Sequence, residues 1–296
     1  MKPAPFEYAD PLKVADVLQL LRERGDEAKI LAGGQSLVPL LNMRMAQPEL
    51  VVDINRVDGF DSLDNAHGLT IGPTVRQRRV ERDQEVVRSQ PLLAEAIQWV
   101  GHAQIRTRGT VVGSLAHADP AAEMPVVWQC LDGTLEISSS DRSRTVAARE
   151  FFVHIMTTDL DPDEMVVGAC LPPMGSDTGT AFLEVARRHG DFAMVSVATA
   201  LALDGDMCRF ASIAIGGVAP VPLRASQAER FLVGEKTIDE TFIEAGVRAA
   251  AETDPPTDIH GSADYRREVA GALVERALGI AAGRARERAG FVDARS

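Results

Sequence analysis

Two glycine-rich segments contain the residue types that can bind a phosphate group without a cationic side chain. The first is AGGQS at residues 32–36, and the second is RTRGTVVGS at residues 106–114. Glycine lets successive backbone N–H groups converge on an anion and leaves no Cβ in its path. Ser36, Thr110 and Ser114 add hydroxyl donors. Each segment alone is more often a tight turn, but the pair together suits the pyrophosphate of a dinucleotide.

The common nucleotide-binding motifs are absent from the sequence. It contains neither the G-x-G-x-x-G of nicotinamide dehydrogenases nor the G-x-x-x-x-G-K-[ST] of phosphate-loop enzymes. A Rossmann-type dehydrogenase and a nucleoside triphosphatase are therefore disfavoured, whereas a flavin held by another scaffold stays open.

Composition and charge narrow the class of protein further. The 296 residues carry a formal net charge of −12, which disfavours nucleic acid as a partner and requires an anionic ligand to be held by local geometry. No apolar stretch approaches the ~18 residues of a membrane span. The start of the chain, MKPAPFEY, lacks the pattern of a secretory signal. A cytoplasmic protein without a membrane span is therefore expected.

The three cysteines give no sign of a disulfide framework or a metal site. Cys130, Cys170 and Cys208 lie far apart and form no C-x-x-C pair. They are predicted to be buried thiols, and neither a zinc site nor an iron–sulfur site is expected in this chain.

Two groups of polar residues around the second glycine segment could be functional. His117 lies near Asp119 and Glu123, but no metal-ligand spacing accompanies it, so we expect a cofactor-lining histidine and neither a metal ligand nor a catalytic residue. Arg106 and Arg108 could contact a phosphate, pair with acidic residues of a partner, or lie exposed on a loop. The sequence leaves these alternatives open.

The predicted elements place the first glycine pair between a strand and a helix. Apolar spacing predicts a helix over 11–24, a strand over 29–32 and a short helix over 37–41. Further strands are predicted at 50–54, 69–72, 134–137 and 165–171, and further helices at 91–100 and 124–131. The second glycine segment is predicted to lie in a loop between these last two helices.

A change in pattern near residue 175 indicates a domain boundary. Pro172 and Pro173 end the strand before it, and residues 175–179 are polar and glycine-rich. Beyond it, strands are predicted at 181–186, 195–203 and 212–215, followed by helices through residue 229, at 242–251 and at 265–282. Strands followed by helices indicate an α+β domain. The polar tail at 284–296 is expected to be frayed.

These segments resemble the FAD-binding medium subunits of the carbon monoxide dehydrogenase and xanthine dehydrogenase family, the molybdenum hydroxylases. The resemblance extends over nearly the whole chain. It is carried by PFEY at 5–8, AGGQSL at 32–37, VDI at 52–54, QIRTRGTVVGSLAHADP at 104–120, EMP at 123–125, GDFA at 190–193 and DYRR at 264–267. Their order and spacing are similar to those of the family throughout.

The resemblance implies an α+β protein with two domains. Residues 1–175 are expected to form a FAD-binding domain of the vanillyl-alcohol-oxidase (PCMH) type, with subdomains at about 1–56 and 57–175. Residues 176–290 are expected to form the CO dehydrogenase flavoprotein C-terminal α+β domain.

The resemblance also implies which residues bind FAD. The first loop wraps the pyrophosphate, the second closes the opposite side, Glu123 accepts hydroxyl hydrogen bonds, and Val166 and Phe192 pack near the isoalloxazine. The full set is Ile30, Leu31, Ala32, Gly33, Gly34, Gln35, Ser36, Leu37, Ile105, Gly109, Thr110, Gly113, Ser114, Ala116, His117, Glu123, Val166 and Phe192.

One residue departs from the family pattern. The family usually has T-I-G-G where this chain has Thr110-Val111-Val112-Gly113, so a β-branched side chain occupies the first glycine position. If that position required a positive φ, Val112 would cost on the order of 1–3 kcal/mol and weaken FAD binding. If the backbone there is ordinary, FAD should bind normally.

The function implied by the resemblance is electron transfer. FAD would take electrons from the [2Fe-2S] clusters of a small subunit and pass them to an external acceptor, while a large molybdopterin subunit oxidises the substrate. Neither molybdopterin nor iron–sulfur ligands are expected in this chain. Two alternatives stay open: a stand-alone flavin oxidoreductase with its own substrate pocket, and a scaffold subunit whose FAD site has degenerated.

Overall fold

The computed structural model describes residues 2–293, with side chains described to residue 290. Sheets of three, five and four strands follow one another along the chain, and a two-stranded hairpin is inserted within the second. Among the described residues, no helix is both long and apolar enough to cross a lipid bilayer.

The first sheet is small and entirely parallel. Its elements are β1 (Glu7–Ala9), α1 (Val14–Arg24), β2 (Ala28–Leu31), α2 (Leu37–Asn42) and β3 (Leu50–Asp53). The strand order is β1-β3-β2, and a helix makes each crossover, as parallel pairing requires. Val17, Leu18 and Leu21 form the buried stripe of α1 and pack against the sheet.

The second part of the chain surrounds an antiparallel sheet with helices. Its strands are β4 (Leu63–Asp64), β5 (Leu69–Ile71), β6 (Thr134–Ser138), β7 (Ser143–Ala147), β8 (Phe152–His154), β9 (Thr157–Thr158) and β10 (Met165–Leu171). Its helices are α3 (Gln77–Arg82), α4 (Gln84–Ser89), α5 (Pro91–Ala96), α6 (Ala103–Arg106), α7 (Val111–His117), α8 (Glu123–Cys130) and α9 (Ala148–Phe151). The order β4-β5-β10-β6-β7 places the long strand β10 at the centre. The core includes Trp128, Phe151 and Leu92, all fully buried.

The last part is a four-stranded antiparallel sheet followed by three helices. It contains β11 (Thr178–Val185), β12 (Val195–Asp204), β13 (Met207–Gly216), β14 (Leu223–Arg224), α10 (Ser226–Leu232), α11 (Asp239–Ala251) and α12 (Ala263–Asp293). Strands precede helices here, as the sequence predicts. The passage from the second sheet to the third falls between Leu171 and Thr178.

The last sheet is covered on both faces. Helix α12 packs on one face through small side chains such as Ala277 and Ala281. On the other face, Phe182 and Ala198 belong to the same core as Trp128 of helix α8. This shared core fixes the last sheet beside helix α8, which starts at the candidate cofactor-binding residue Glu123.

Three predictions from the sequence are wrong. The second glycine segment is predicted to lie in a loop, but its residues 111–114 begin helix α7, because Thr110 caps that helix by accepting a hydrogen bond from the Gly113 N–H. Residues 284–293 are helical rather than frayed, because Arg284 donates to the Glu95 carboxylate and the Thr180 carbonyl, and Arg288 donates to the Thr178 carbonyl. Residues 294–296 of the tail predicted to fray lie outside the described residues. The cysteines are not all buried: Cys130 and Cys208 are, but Cys170 is only half-buried. Cys170 lies on β10, where its thiol faces Thr70 and Glu136 at a sheet surface.

Candidate functional site

A cavity of about 730 Å³ lies where the three parts of the molecule meet. Every residue of the predicted FAD-binding set lines it except Leu31. Leu31 ends strand β2, and its side chain lies against Gly34. The structure therefore brings together segments from residues 30–37, 105–123, 166 and 192, which are widely separated in sequence.

The first glycine loop is shaped by a strand end and a helix start. Strand β2 ends at Leu31, Gly34 has a φ of 72°, and α2 begins at Leu37. The left-handed backbone at Gly34 is a conformation that a side chain disfavours. The Ala32 carbonyl accepts a hydrogen bond of 2.8 Å from the Asn55 side chain, which pins the loop to the residues after β3.

The two glycine loops touch each other. A Cβ on Gly33 would stand 2.5 Å from the carbonyl oxygen of Arg108 and 2.8 Å from Cα of Gly109. Arg76 connects the loops by donating to the Arg108 carbonyl at 2.7 Å and to the Asn55 side-chain oxygen at 2.5 Å. These hydrogen bonds connect the two loops in series, from Ala32 through Asn55 and Arg76 to Arg108, and set the distance between the loops.

The second glycine loop leads into helix α7. Thr110 caps this helix, its Oγ1 accepting from the Gly113 backbone N–H at 3.0 Å, so its hydroxyl proton is free to donate elsewhere. Val112 lies in the first turn of α7 with an ordinary helical backbone, and its side chain is buried. The condition under which Val112 would be strained therefore does not arise.

Glu123 is a buried acidic residue in the wall of the cavity. It opens helix α8 and is 7% exposed. The pKa of its carboxyl is raised to about 7, mainly by burial and also by the nearby charge of Asp119, while a backbone hydrogen bond and the charge of Arg106 act in the opposite direction. Near neutral pH this carboxyl can either accept or donate a hydrogen bond, which suits a neighbour that carries hydroxyl groups.

Phe192 lies at the boundary between two cavities. It follows Gly190, whose φ is 90°, and its side chain is 73% exposed. A second, mainly apolar cavity of about 850 Å³ lies on its far side, lined by Pro120, Ile155 and Met194 among others. Gly190, Asp191 and Phe192 line both cavities. This short segment is therefore the wall between them.

Arg106 and Arg108 have different roles. Arg106 is 7% exposed, pairs with Glu81 at 3.1 Å and donates to the carbonyls of Val100 and Gly101. The guanidinium of Arg106 is neutralised by Glu81 and buried. Arg106 is therefore neither an exposed loop residue nor available to bind a phosphate. Arg108 is exposed and contributes its carbonyl to the contact with Arg76.

Sequence reasoning missed three residues at the base of the site. Asn55 and Arg76 connect the two loops, and Gln77 lines the cavity beside Gly109. The only local signal was the position of Asn55 just after a predicted strand. Nothing in the sequence near Arg76 or Gln77 indicates that these residues contact a loop about thirty positions away.

The residues present fit a dinucleotide. The two glycine loops meet without side chains at Gly33 and Gly109 and line one cavity, to which backbone N–H groups, Ser36, Thr110 and Ser114 offer neutral donors. The cavity also contains an unpartnered buried oxygen, Oε1 of Gln77. Its volume lies within the ~300–1,000 Å³ of small-molecule and cofactor sites.

Comparison with known proteins agrees with this geometry. Residues 4–174 match the family described as the FAD binding domain in molybdopterin dehydrogenase, and residues 180–281 match the CO dehydrogenase flavoprotein C-terminal domain. The chain is 40% identical to the 6-hydroxypseudooxynicotine dehydrogenase complex subunit alpha of Paenarthrobacter nicotinovorans, over 97% of each chain.

Two solved structures have the same fold along nearly their whole length. A chain of carbon monoxide dehydrogenase from Hydrogenophaga pseudoflava is 34% identical with a TM-score of 0.93, covering 96% of this chain and 99% of that one. A chain of quinoline 2-oxidoreductase from Pseudomonas putida 86 is 37% identical with a TM-score of 0.92 and the same coverage.

Proposed function

Because the chain belongs to the family of FAD-binding medium subunits of carbon monoxide dehydrogenases and related molybdenum hydroxylases, we propose that it is the electron-relay subunit of such an enzyme. One observation carries the proposal: two glycine loops from different parts of the chain meet over a cavity large enough for a dinucleotide. The protein is an oxidoreductase component, and its cofactor is FAD.

We assign the pyrophosphate of FAD to the part of the cavity that both glycine loops line. Backbone N–H groups around Gly33 and the hydroxyls of Ser36, Thr110 and Ser114 would hold it. These donors are neutral, and they are fixed by the Asn55 and Arg76 contacts before the cofactor arrives. Preorganised donors lose little conformational entropy on binding.

Glu123 would hold a hydroxyl of the ribityl or adenosine part. Its raised pKa allows it to keep a proton near neutral pH, so its burial beside a neutral polyol is less costly than burial of a full charge. Val166, which is buried, and Phe192, which is exposed at the cavity wall, would contact the isoalloxazine. Bound FAD supplies two-electron redox chemistry, and the protein residues orient it and control access.

The proposed partners follow from the same family. A small subunit with two [2Fe-2S] clusters would deliver electrons, and a large molybdopterin subunit would oxidise the substrate. The second cavity, across Phe192, would be where an external electron acceptor approaches the flavin. We propose a cytoplasmic complex and a division of this chain into a FAD-binding domain at 1–175, with subdomains at about 1–56 and 57–175, and a C-terminal domain at 176–290.

The helical backbone at Val112 argues against the alternative of a scaffold subunit that no longer binds FAD. That alternative depended on backbone strain at Val112, and no such strain is present. The test is an absorption spectrum of the purified chain, followed by acid release and chromatography of any yellow cofactor. About one FAD per chain without iron absorbance is expected. A colourless chain that cannot be reconstituted with FAD, even beside its partner subunits, would overturn the proposal.

A further inference from the structure

Gln77 is a buried polar residue in the cavity wall whose side-chain oxygen has no partner. It is 3% exposed, and its Oε1 makes no hydrogen bond with any described residue. Its backbone N–H is satisfied, donating to the Gly109 carbonyl at 2.9 Å. Buried carboxamides are normally hydrogen-bonded, so an orphaned one beside a ligand cavity points to a partner that arrives with the ligand.

The carboxamide lies directly against the second glycine loop. A Cβ on Gly109 would stand 2.6 Å from Oε1 of Gln77 and 3.2 Å from its Cδ. The Gln77 amide therefore occupies the space that a side chain at Gly109 would need. Gln77 also lines the cavity beside Gly109, so its carboxamide lies where the second loop borders the ligand space.

The wall of the cavity is predominantly acidic, so a phosphate there depends on neutral hydrogen-bond donors. Among its described lining residues, Lys29 is the single lysine or arginine. Six acidic residues line the same cavity, namely Asp26, Asp119, Glu123, Asp161, Glu164 and Asp191. A pyrophosphate here must be stabilised mainly by neutral N–H and O–H groups, because the net charge of the wall is unfavourable.

We propose that Gln77 is a cofactor-binding residue whose carboxamide donates an N–H to a phosphate oxygen of the dinucleotide. A carboxamide carries two N–H donors on its nitrogen, and rotation about its last side-chain bond exchanges nitrogen and oxygen at a given position. The inference rests on the proposed function, since it names a residue that holds the same cofactor. It adds a contact from the base of helix α3 to those of the two loops.

The test compares FAD affinity in variants of the full chain, with apoprotein titrated by flavin fluorescence. Gln77→Leu is expected to weaken FAD binding about 10-fold to 100-fold, as loss of a hydrogen bond to a charged group does. Gln77→Glu is expected to weaken it more than Gln77→Leu, because a carboxylate repels the phosphates. A packing role predicts the reverse order, since glutamate preserves the shape of glutamine.

Gln90 provides the matched control. It is a glutamine of similar burial, 1% exposed, with an unpartnered Oε1, but it lies away from the cavity and donates to the Pro172 carbonyl at 2.8 Å. Gln90→Leu is expected to lower thermal stability and leave FAD affinity unchanged. Should Gln77→Leu fail to fold, the isosteric Gln77→Glu carries the comparison.

The outcomes separate this inference from the proposed function. A wild-type chain that binds no FAD overturns the proposed function. A wild-type chain that binds FAD, with Gln77→Leu or Gln77→Glu binding it as tightly as Gln90→Leu does, overturns the role of Gln77 alone.

Discussion

Gly33 lies so close to the backbone of Arg108 that a Cβ on Gly33 would stand 2.5 Å from the Arg108 carbonyl oxygen. The contact joins a loop of the parallel sheet to a loop before helix α7. A methyl group at this point must push the loops apart, because both neighbouring atoms belong to backbone.

Gly33→Ala is therefore expected to abolish copurification of FAD and to lower the free energy of unfolding by about 2 kcal/mol, the usual cost of overpacking. FAD content by absorbance and urea unfolding measure the two effects. The control is Gly279→Ala, on an exposed part of helix α12 with open space around it. That change should stabilise the chain by about 0.5–1 kcal/mol. Stoichiometric FAD in Gly33→Ala would contradict the assigned position of the pyrophosphate.

Arg76→Lys tests whether the connection between the loops matters for binding. Lysine keeps the charge but cannot donate to Arg108 and Asn55 at once with the guanidinium fork. FAD affinity is expected to fall about 10-fold, since loosened donors must be ordered on binding. Arg79→Lys is the control, because Arg79 donates to the Asp61 carbonyl and does not line the cavity. Equal affinities for the two variants would argue against a positioning role.

Val112→Gly restores the residue usual in the family and is expected to bring no gain in FAD affinity. Val112 has a helical backbone and a buried side chain, so glycine removes packing and adds flexibility. A loss of about 2 kcal/mol in the free energy of unfolding is expected. Fluorescence titration with FAD and urea unfolding provide both values. Tighter FAD binding in the variant would show that the valine does crowd the cofactor.

Stability should depend on pH through Glu184. This residue is 9% exposed with an unpartnered Oε2, and burial, together with the charge of Glu123, raises the pKa of its carboxyl to about 8. The folded state therefore favours the protonated form. Its contribution is fully present below the ordinary carboxyl pKa of 4.5 and is lost as the pH rises through about 8.

The apoprotein is expected to lose on the order of 1 kcal/mol or more of unfolding free energy between about pH 5 and about pH 8. Glu184→Gln should reduce that loss, because its amide stays neutral throughout. Urea unfolding at the two pH values measures it, and Glu268→Gln, at an exposed position of α12, is the control. Identical pH dependence in wild type and Glu184→Gln would rule out this carboxyl as the source.

Local patterns were sufficient to predict most of the elements, and the resemblance of several motifs to a known family predicted the family and the FAD cofactor. The glycine pair after a strand and the buried strand at 165–171 are properties of neighbouring residues. The comparisons confirm the family and the FAD domain. Backbone propensity and short-range capping determine such features, so they can be read without knowing the rest of the fold.

Patterns failed where a residue's partner is distant along the chain. The polar stretch after residue 284 suggested fraying, but Arg284 reaches Glu95, 189 positions away, and the helix continues. Arg106 resembled a loop cation, but burial against Glu81 uses its charge. A polar side chain has the same local signature whether it is solvated or paired in the interior.

The site itself depends on contacts that only the folded chain creates. Residue types indicated two loops that could bind phosphate. Their meeting at Gly33 and Arg108 and their connection through Asn55 and Arg76 depend on how the segment after strand β3 lies against the residue before helix α3. The burial of Gln77 against Gly109 arises from the same packing. Distances between distant backbone segments are set by the whole core, because each contact becomes possible only when the others have formed.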